Sequence, residues 1–161
     1  MGIFRNLTAR FSGASKDNAE PAEISRKLQD FLQNQIDALD KEGHRVFFNA
    51  ITIGYVSHLI MMITKKPVNL EIVNHALINI FTDKDSLSMI DNALWLFDSD
   101  SEIEQKLAAL FPIAKKEYEA GSGEFLIRHT RKGRKAIEDL FKSRPRKRAS
   151  DFQPWSAKDL A

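Results

Sequence analysis

The 161-residue chain contains no cysteine. This excludes disulfide frameworks, zinc–thiolate sites and thiol nucleophiles from its chemistry. A chain without cysteine fits a reducing compartment, so we expect a cytoplasmic protein.

Phosphate-binding and metal-binding motifs are also lacking. The seven glycines cluster only at Gly121 and Gly123, so no glycine-rich phosphate loop is present. The four histidines are scattered singly, without the repeated Glu-x-x-His spacing of di-metal bundles. The acidic stretches beginning at Asp83 and Asp98 lack the glycine and glutamate that a calcium loop needs at its sixth and twelfth positions. A serine nucleophile with a positioned base cannot be identified either. We therefore predict a protein that is not an enzyme and uses no metal or cofactor.

One long uncharged run, Val46–Ile63, reaches only the lower limit of length for crossing a bilayer. It also contains Asn49, Ser57 and His58, whose polar groups would need partners in hydrocarbon. A central helix covered by other helices explains the same run. We predict a buried helix here, and we expect His58 to make a hydrogen bond in the core.

The rest of the composition is that of an ordinary globular domain, with 43% apolar and 29% charged residues. Apolar residues recur with helical spacing through most of the chain, with candidate helix starts at Pro21, Asn69, Asp85 or Ser86, and Asp100 or Ser101. Ser101 and Glu104 have the spacing of a capping box, and Pro112 predicts a kink or break.

These patterns predict an all-α, single-domain helical bundle of about five to seven helices with a flexible C-terminal tail. The predicted divisions are a short amphipathic segment and linker (1–20), a helical domain (21–143) and a basic tail containing proline and tryptophan (144–161). The predicted core consists of Leu28, Phe31, Ile53, Leu59, Ile60, Leu77, Ile80, Leu94, Leu107 and Phe111.

Charge is distributed unevenly along the chain. Residues 128–148 hold ten Lys or Arg against two acidic residues, a net charge of +8, whereas residues 1–127 carry −5. Such a segment can bind nucleic-acid phosphates or an acidic partner, and it can equally be a solvated helix face and tail. The candidate binding residues are Arg131, Lys132, Arg134, Lys135, Arg144, Arg146, Lys147 and Arg148.

Two aromatic residues, Phe152 and Trp155, lie in a segment without apolar periodicity. They either fold back onto the body or anchor a partner, as aromatic side chains often do at interfaces. The preferred hypothesis is a non-enzymatic protein that binds another protein, as an adaptor, regulator, chaperone or toxin-neutralising (immunity) protein does. The alternative is a nucleic-acid-binding protein that uses residues 128–148. A membrane surface is the less favoured partner, and a homo-oligomer is possible.

Overall fold

A computed structural model describes residues 19–143. Within this range it contains six α-helices and no strands, which confirms the predicted all-α bundle. Contacts between residues divide the chain into two units, residues 1–130 and 131–161. The second unit is described only for residues 131–143, which are helical. The helices are α1 (Ala19–Lys41), α2 (Ala50–Thr64), α3 (Leu70–Ile80), α4 (Lys84–Ser99), α5 (Ile103–Ala120) and α6 (Phe125–Ser143).

Helix α2 is the central element of the first unit. It packs against α1, α3, α4 and α5, and eight of its fifteen residues are buried. A helix that is apolar on every side is stable in such surroundings, because its neighbours cover it. Among the described residues, no helix combines the length and apolar character that crossing a bilayer requires.

The predicted start of this helix was wrong. Asn49 has extended backbone angles, and its side chain accepts a 3.0 Å hydrogen bond from the backbone N–H of Thr52. This is an N-cap, so the helix begins after Asn49 and residues 46–49 precede it. Val46 and Phe48 are buried all the same, which explains why the apolar run extends beyond the helix.

Polar caps also determine where α3 and α4 begin. Asn69 caps α3 as predicted, accepting a 2.8 Å hydrogen bond from the backbone of Glu71. Asp83 caps α4 by accepting a 2.9 Å hydrogen bond from the backbone N–H of Ser86, so α4 begins at Lys84, one or two residues before the predicted starts. The predicted capping box at Ser101 was wrong. Helix α5 begins at Ile103, and Asp100 instead accepts from the backbone of Glu102 at 2.9 Å.

Pro112, which predicted a kink or a break, lies inside α5, and the helix continues unbroken to Ala120. A proline in a helix leaves the carbonyl four residues earlier without its usual donor.

The core confirms most of the predicted apolar residues. Leu28, Ile53, Leu59, Ile60 and Leu77 are buried. Four others are half-buried and pack against the core, namely Phe31, Ile80, Leu94 and Leu107.

Phe111 was predicted wrongly, because its side chain is 39% exposed. It lies at the edge of a groove and contacts the ring of His58, with the ring centroids 5.4 Å apart. Helical spacing alone does not distinguish a core position from one at the rim of the core.

A buried polar network connects α1, α2 and α5 to the start of α6. The Tyr55 hydroxyl donates to a carboxylate oxygen of Glu117 at 2.6 Å, and the Gln35 amide donates to the Tyr55 oxygen at 3.4 Å. The first backbone N–H groups of a helix have no partner within the helix. At the start of α6, the backbone N–H groups of Glu124 and Phe125 donate to the Glu117 carboxylate at 3.2 and 3.3 Å. The backbone N–H of Leu126 donates to the Gln35 side-chain oxygen at 2.9 Å.

The same network determines the protonation of Tyr55. Burial raises the pKa of the phenol far above its usual value, and the hydrogen bond to Glu117 raises it further. The hydroxyl therefore stays protonated and acts as the donor. The structural role of these residues is to hold the start of α6 against the other helices of the first unit.

Candidate interaction surfaces

The sequence-predicted basic residues lie in two different parts of the chain. Arg131, Lys132, Arg134 and Lys135 are exposed on α6, within the second unit. Four more lie outside the described residues, namely Arg144, Arg146, Lys147 and Arg148. The predicted partner-binding residues Phe152 and Trp155 also lie outside the described range, so these six assignments stay predictions.

Residues 131–143 of α6 have two chemically distinct faces. Successive side chains on a helix are 100° apart, so Lys135 and Lys142 lie on the same side as Arg131, with Lys132 beside them. Ile137, Leu140 and Phe141 lie on the opposite side, which we call the α6 apolar face. All three side chains are exposed, by 43%, 60% and 71% respectively.

The charges on this helix could be predicted from the sequence, whereas the exposure of its apolar face could not. Apolar residues at helical spacing usually indicate burial, and the same spacing occurs in Ile137, Leu140 and Phe141. Only the structure distinguishes apolar residues that are buried from those that are exposed.

Helix α4 presents a second exposed apolar surface, in the first unit. Its core side consists of Ile90, Ala93 and Phe97, all buried. Trp95 lies on the opposite side of the helix and is 69% exposed, and the neighbouring Leu96 is 51% exposed. We call the surface formed by Leu87, Asp91, Trp95 and Asp98, which share one side of α4, the Trp95 face.

The electrostatic surroundings of the Trp95 face are acidic. Asp91 lies one helical turn before Trp95, Asp98 lies almost one turn after it, and both are exposed. Residues 19–130 contain eleven Lys or Arg against seventeen Asp or Glu, a net charge of −6. An apolar centre with carboxylates around it is complementary to a partner that is both apolar and basic.

The end of α4 is tied to α5 by an ion pair. Asp100 accepts a 2.8 Å hydrogen bond from the Lys106 ammonium, which lowers the pKa of the Asp100 carboxyl and raises that of Lys106. Asp100 is therefore already engaged, which leaves Asp91 and Asp98 as the carboxylates beside Trp95.

A shallow groove lies at the C-terminal end of α2. Its volume is about 510 Å³, and Lys65 and Lys66 are part of its lining. Methionine side chains adapt their shape to different contacts, which suits a binding surface. The Lys66 ammonium, however, already forms an ion pair with Glu20 at 3.2 Å, so it is not available to an anionic ligand of the groove. The apolar residues of the groove are Met61, Met62, Pro67, Val68 and Phe111.

His58 borders this region and makes the hydrogen bond predicted for it. Its Nε2 lies 3.0 Å from the carbonyl oxygen of Leu107, so this nitrogen carries the proton and donates. The other ring nitrogen is buried and has no hydrogen-bond partner in the described part of the chain. Within residues 19–143, no three histidine or carboxylate side chains converge on a point where a metal ion would bind.

No protein-family model matches this chain, and no curated protein or solved structure is significantly similar to it.

Proposed function

We propose that this protein acts without catalysing a reaction, by binding another protein through the Trp95 face. The observation that supports the proposal is the 69% exposure of Trp95 on the solvent side of α4. Tryptophan is among the residues most enriched at the energetic centres of protein interfaces, where it fills a pocket of the partner. A side chain exposed to this extent brings no comparable benefit to the folding of its own helix.

The same surface suggests what the partner looks like. Asp91 and Asp98 flank Trp95, and residues 19–130 are acidic as a whole. Opposite charges speed encounter and exclude partners of the wrong sign. The partner therefore presents an apolar pocket bordered by Lys or Arg. An adaptor, a regulator or an immunity-type inhibitor fits this description.

Site-specific photo-crosslinking in the native host tests the proposal. A photo-reactive amino acid at position 96, beside Trp95, is expected to form a covalent adduct with a specific protein. The same amino acid at Glu119, an exposed position of α5, serves as the matched control. The adduct from position 96 should disappear when Trp95→Ser is added. Adducts that are identical from both positions, or unaffected by Trp95→Ser, would contradict the assignment of this face.

A further inference from the structure

We infer that residues 131–143 form an amphipathic helix that binds the surface of an anionic lipid bilayer. The Trp95 face plays no part in this inference. It concerns a second partner and a different unit of the chain.

The first argument is the arrangement of the two faces. Helices that lie in a membrane interface have low overall hydrophobicity, Lys and Arg on the polar side, and Phe, Trp or Leu on the other side. Residues 131–143 meet each of these conditions. Their polar side carries Arg131, Lys132, Lys135 and Lys142 together with Glu138 and Asp139, and the α6 apolar face lies opposite, with Arg134 at its edge.

The second argument is the exposure of the apolar side chains. Leu140 is 60% exposed and Phe141 is 71% exposed, so both are accessible to lipid. A nucleic acid binds through the charge of its phosphates, and it would not contact apolar residues on the opposite side of the helix. A bilayer uses both sides of such a helix, because the apolar side enters the acyl boundary while the basic side attracts lipid phosphates.

Charge complementarity selects the class of lipid. Residues 131–143 hold five Lys or Arg against Glu138 and Asp139, a net charge of +3. Within this range Arg134 also approaches Glu138, at 3.6 Å. The sequence immediately following, residues 144–148, adds four more basic residues. Each basic residue near an anionic surface contributes attraction, whereas a zwitterionic surface provides almost none. This revises the expectation that a membrane surface is the less favoured partner.

Vesicle co-sedimentation of the full-length protein tests the inference. The protein is expected to sediment with vesicles of equimolar phosphatidylglycerol and phosphatidylcholine, and not with phosphatidylcholine alone. Replacing Leu140 and Phe141 together by serine should weaken this binding by roughly tenfold or more, since two side chains no longer enter the lipid. Lys132→Gln with Lys135→Gln should weaken it by a similar factor.

Trp95→Ser is the matched control, because it removes an exposed apolar side chain from the first unit. It should leave vesicle binding unchanged, so failure of this inference and failure of the proposed protein partner are distinguishable. The substituted residues of α6 are exposed, and circular dichroism verifies that the variants remain helical.

Three results would overturn the inference. The first is absence of binding to the anionic vesicles. The second is vesicle binding that the two lysine substitutions abolish and the Leu140 and Phe141 substitutions leave unchanged, together with binding of duplex DNA at physiological salt. This result would assign the segment to nucleic acid. The third is a dimer that dissociates in the Leu140 and Phe141 variant without any vesicle binding, which would assign the α6 apolar face to a second copy of the chain.

Discussion

The Tyr55 hydroxyl donates a 2.6 Å hydrogen bond to the Glu117 carboxylate, joining α2 to α5 across 62 positions of the sequence. Tyr55 is buried, and Glu117 also accepts from the backbone at the start of α6. Loss of the hydroxyl therefore removes one hydrogen bond and leaves the half-buried carboxylate with one donor fewer.

We expect Tyr55→Phe to lower the free energy of unfolding by about 1.5–3 kcal/mol, the usual contribution of a hydrogen bond to a charged group. Urea denaturation measures this difference. Tyr118→Phe is the control, because the described residues provide no hydrogen bond to its hydroxyl, and its change should stay below about 0.5 kcal/mol. Equal effects of the two substitutions would show that the network contributes little.

Gly123 has no side chain, and this leaves room for the hydrogen-bond network. A Cβ atom at this position would collide with Glu117 and lie 2.8 Å from both the Gln35 amide nitrogen and the Tyr55 oxygen. These three groups are held by hydrogen bonds and cannot move independently. We expect Gly123→Ala to destabilise the protein by about 1–3 kcal/mol, the typical cost of overpacking.

Gly54→Ala provides the comparison for this prediction. Its Cβ would meet the ends of the Leu107 and Leu110 side chains, which can shift, and alanine is the better helix former by about 1 kcal/mol. The melting temperature should therefore fall less for Gly54→Ala than for Gly123→Ala. The reverse order would contradict the steric argument.

The N-cap of α4 makes stability depend on pH. Hydrogen bonds from Ser86 hold the pKa of the Asp83 carboxyl below its ordinary value, and Arg45 lowers it further. A depressed pKa means that the charged form favours the folded state. Its stabilising contribution is present above the unfolded pKa, near 3.9, and is lost as the pH falls through the folded value.

Comparing wild type with Asp83→Asn isolates the charge, because asparagine also caps helices well. Denaturation at a series of pH values should show the advantage of the wild type at pH 7 shrinking below about pH 4. Asp83→Ala should be less stable at pH 7 by about 1 kcal/mol, since it lacks the cap altogether. An advantage that grows on acidification would have the wrong sign for this account.

The core assignments predict different costs of truncation. Leu77 is fully buried, so Leu77→Ala should cost about 2–5 kcal/mol. Phe111 is 39% exposed, and Phe111→Ala should cost clearly less than a buried phenylalanine, for which about 3–5 kcal/mol is typical. Urea denaturation of both variants provides the test. A larger loss at Phe111 would return this residue to the core, as its helical spacing first predicted.

The all-α fold could be predicted from the sequence, because helix formation depends on local spacing and local caps. Asn69 illustrates this, since its cap needs only the backbone two residues later. The network of Gln35, Tyr55 and Glu117 could not be predicted, because its members are 20 and 62 positions apart and nothing local pairs them.

The candidate surfaces were harder to predict for a related reason. Phe141 has the same helical spacing as core residues, and only the structure shows that its side chain is exposed. The basic residues of α6 were identified, because a run of charges is visible without any tertiary information. Exposure is a property of the assembled fold, and single-sequence patterns do not report it.

Binding of the cross-linked partner to purified wild type and Trp95→Ser by isothermal titration tests the central claim most directly. Trp95→Ser should leave the free energy of unfolding within about 0.5 kcal/mol of wild type, because the side chain is exposed. If Trp95 is the centre of the interface, the variant should bind roughly 30-fold more weakly or worse, as interface centres lose at least about 2 kcal/mol on truncation. A dissociation constant within about twofold of wild type would contradict the claim that this face binds the partner.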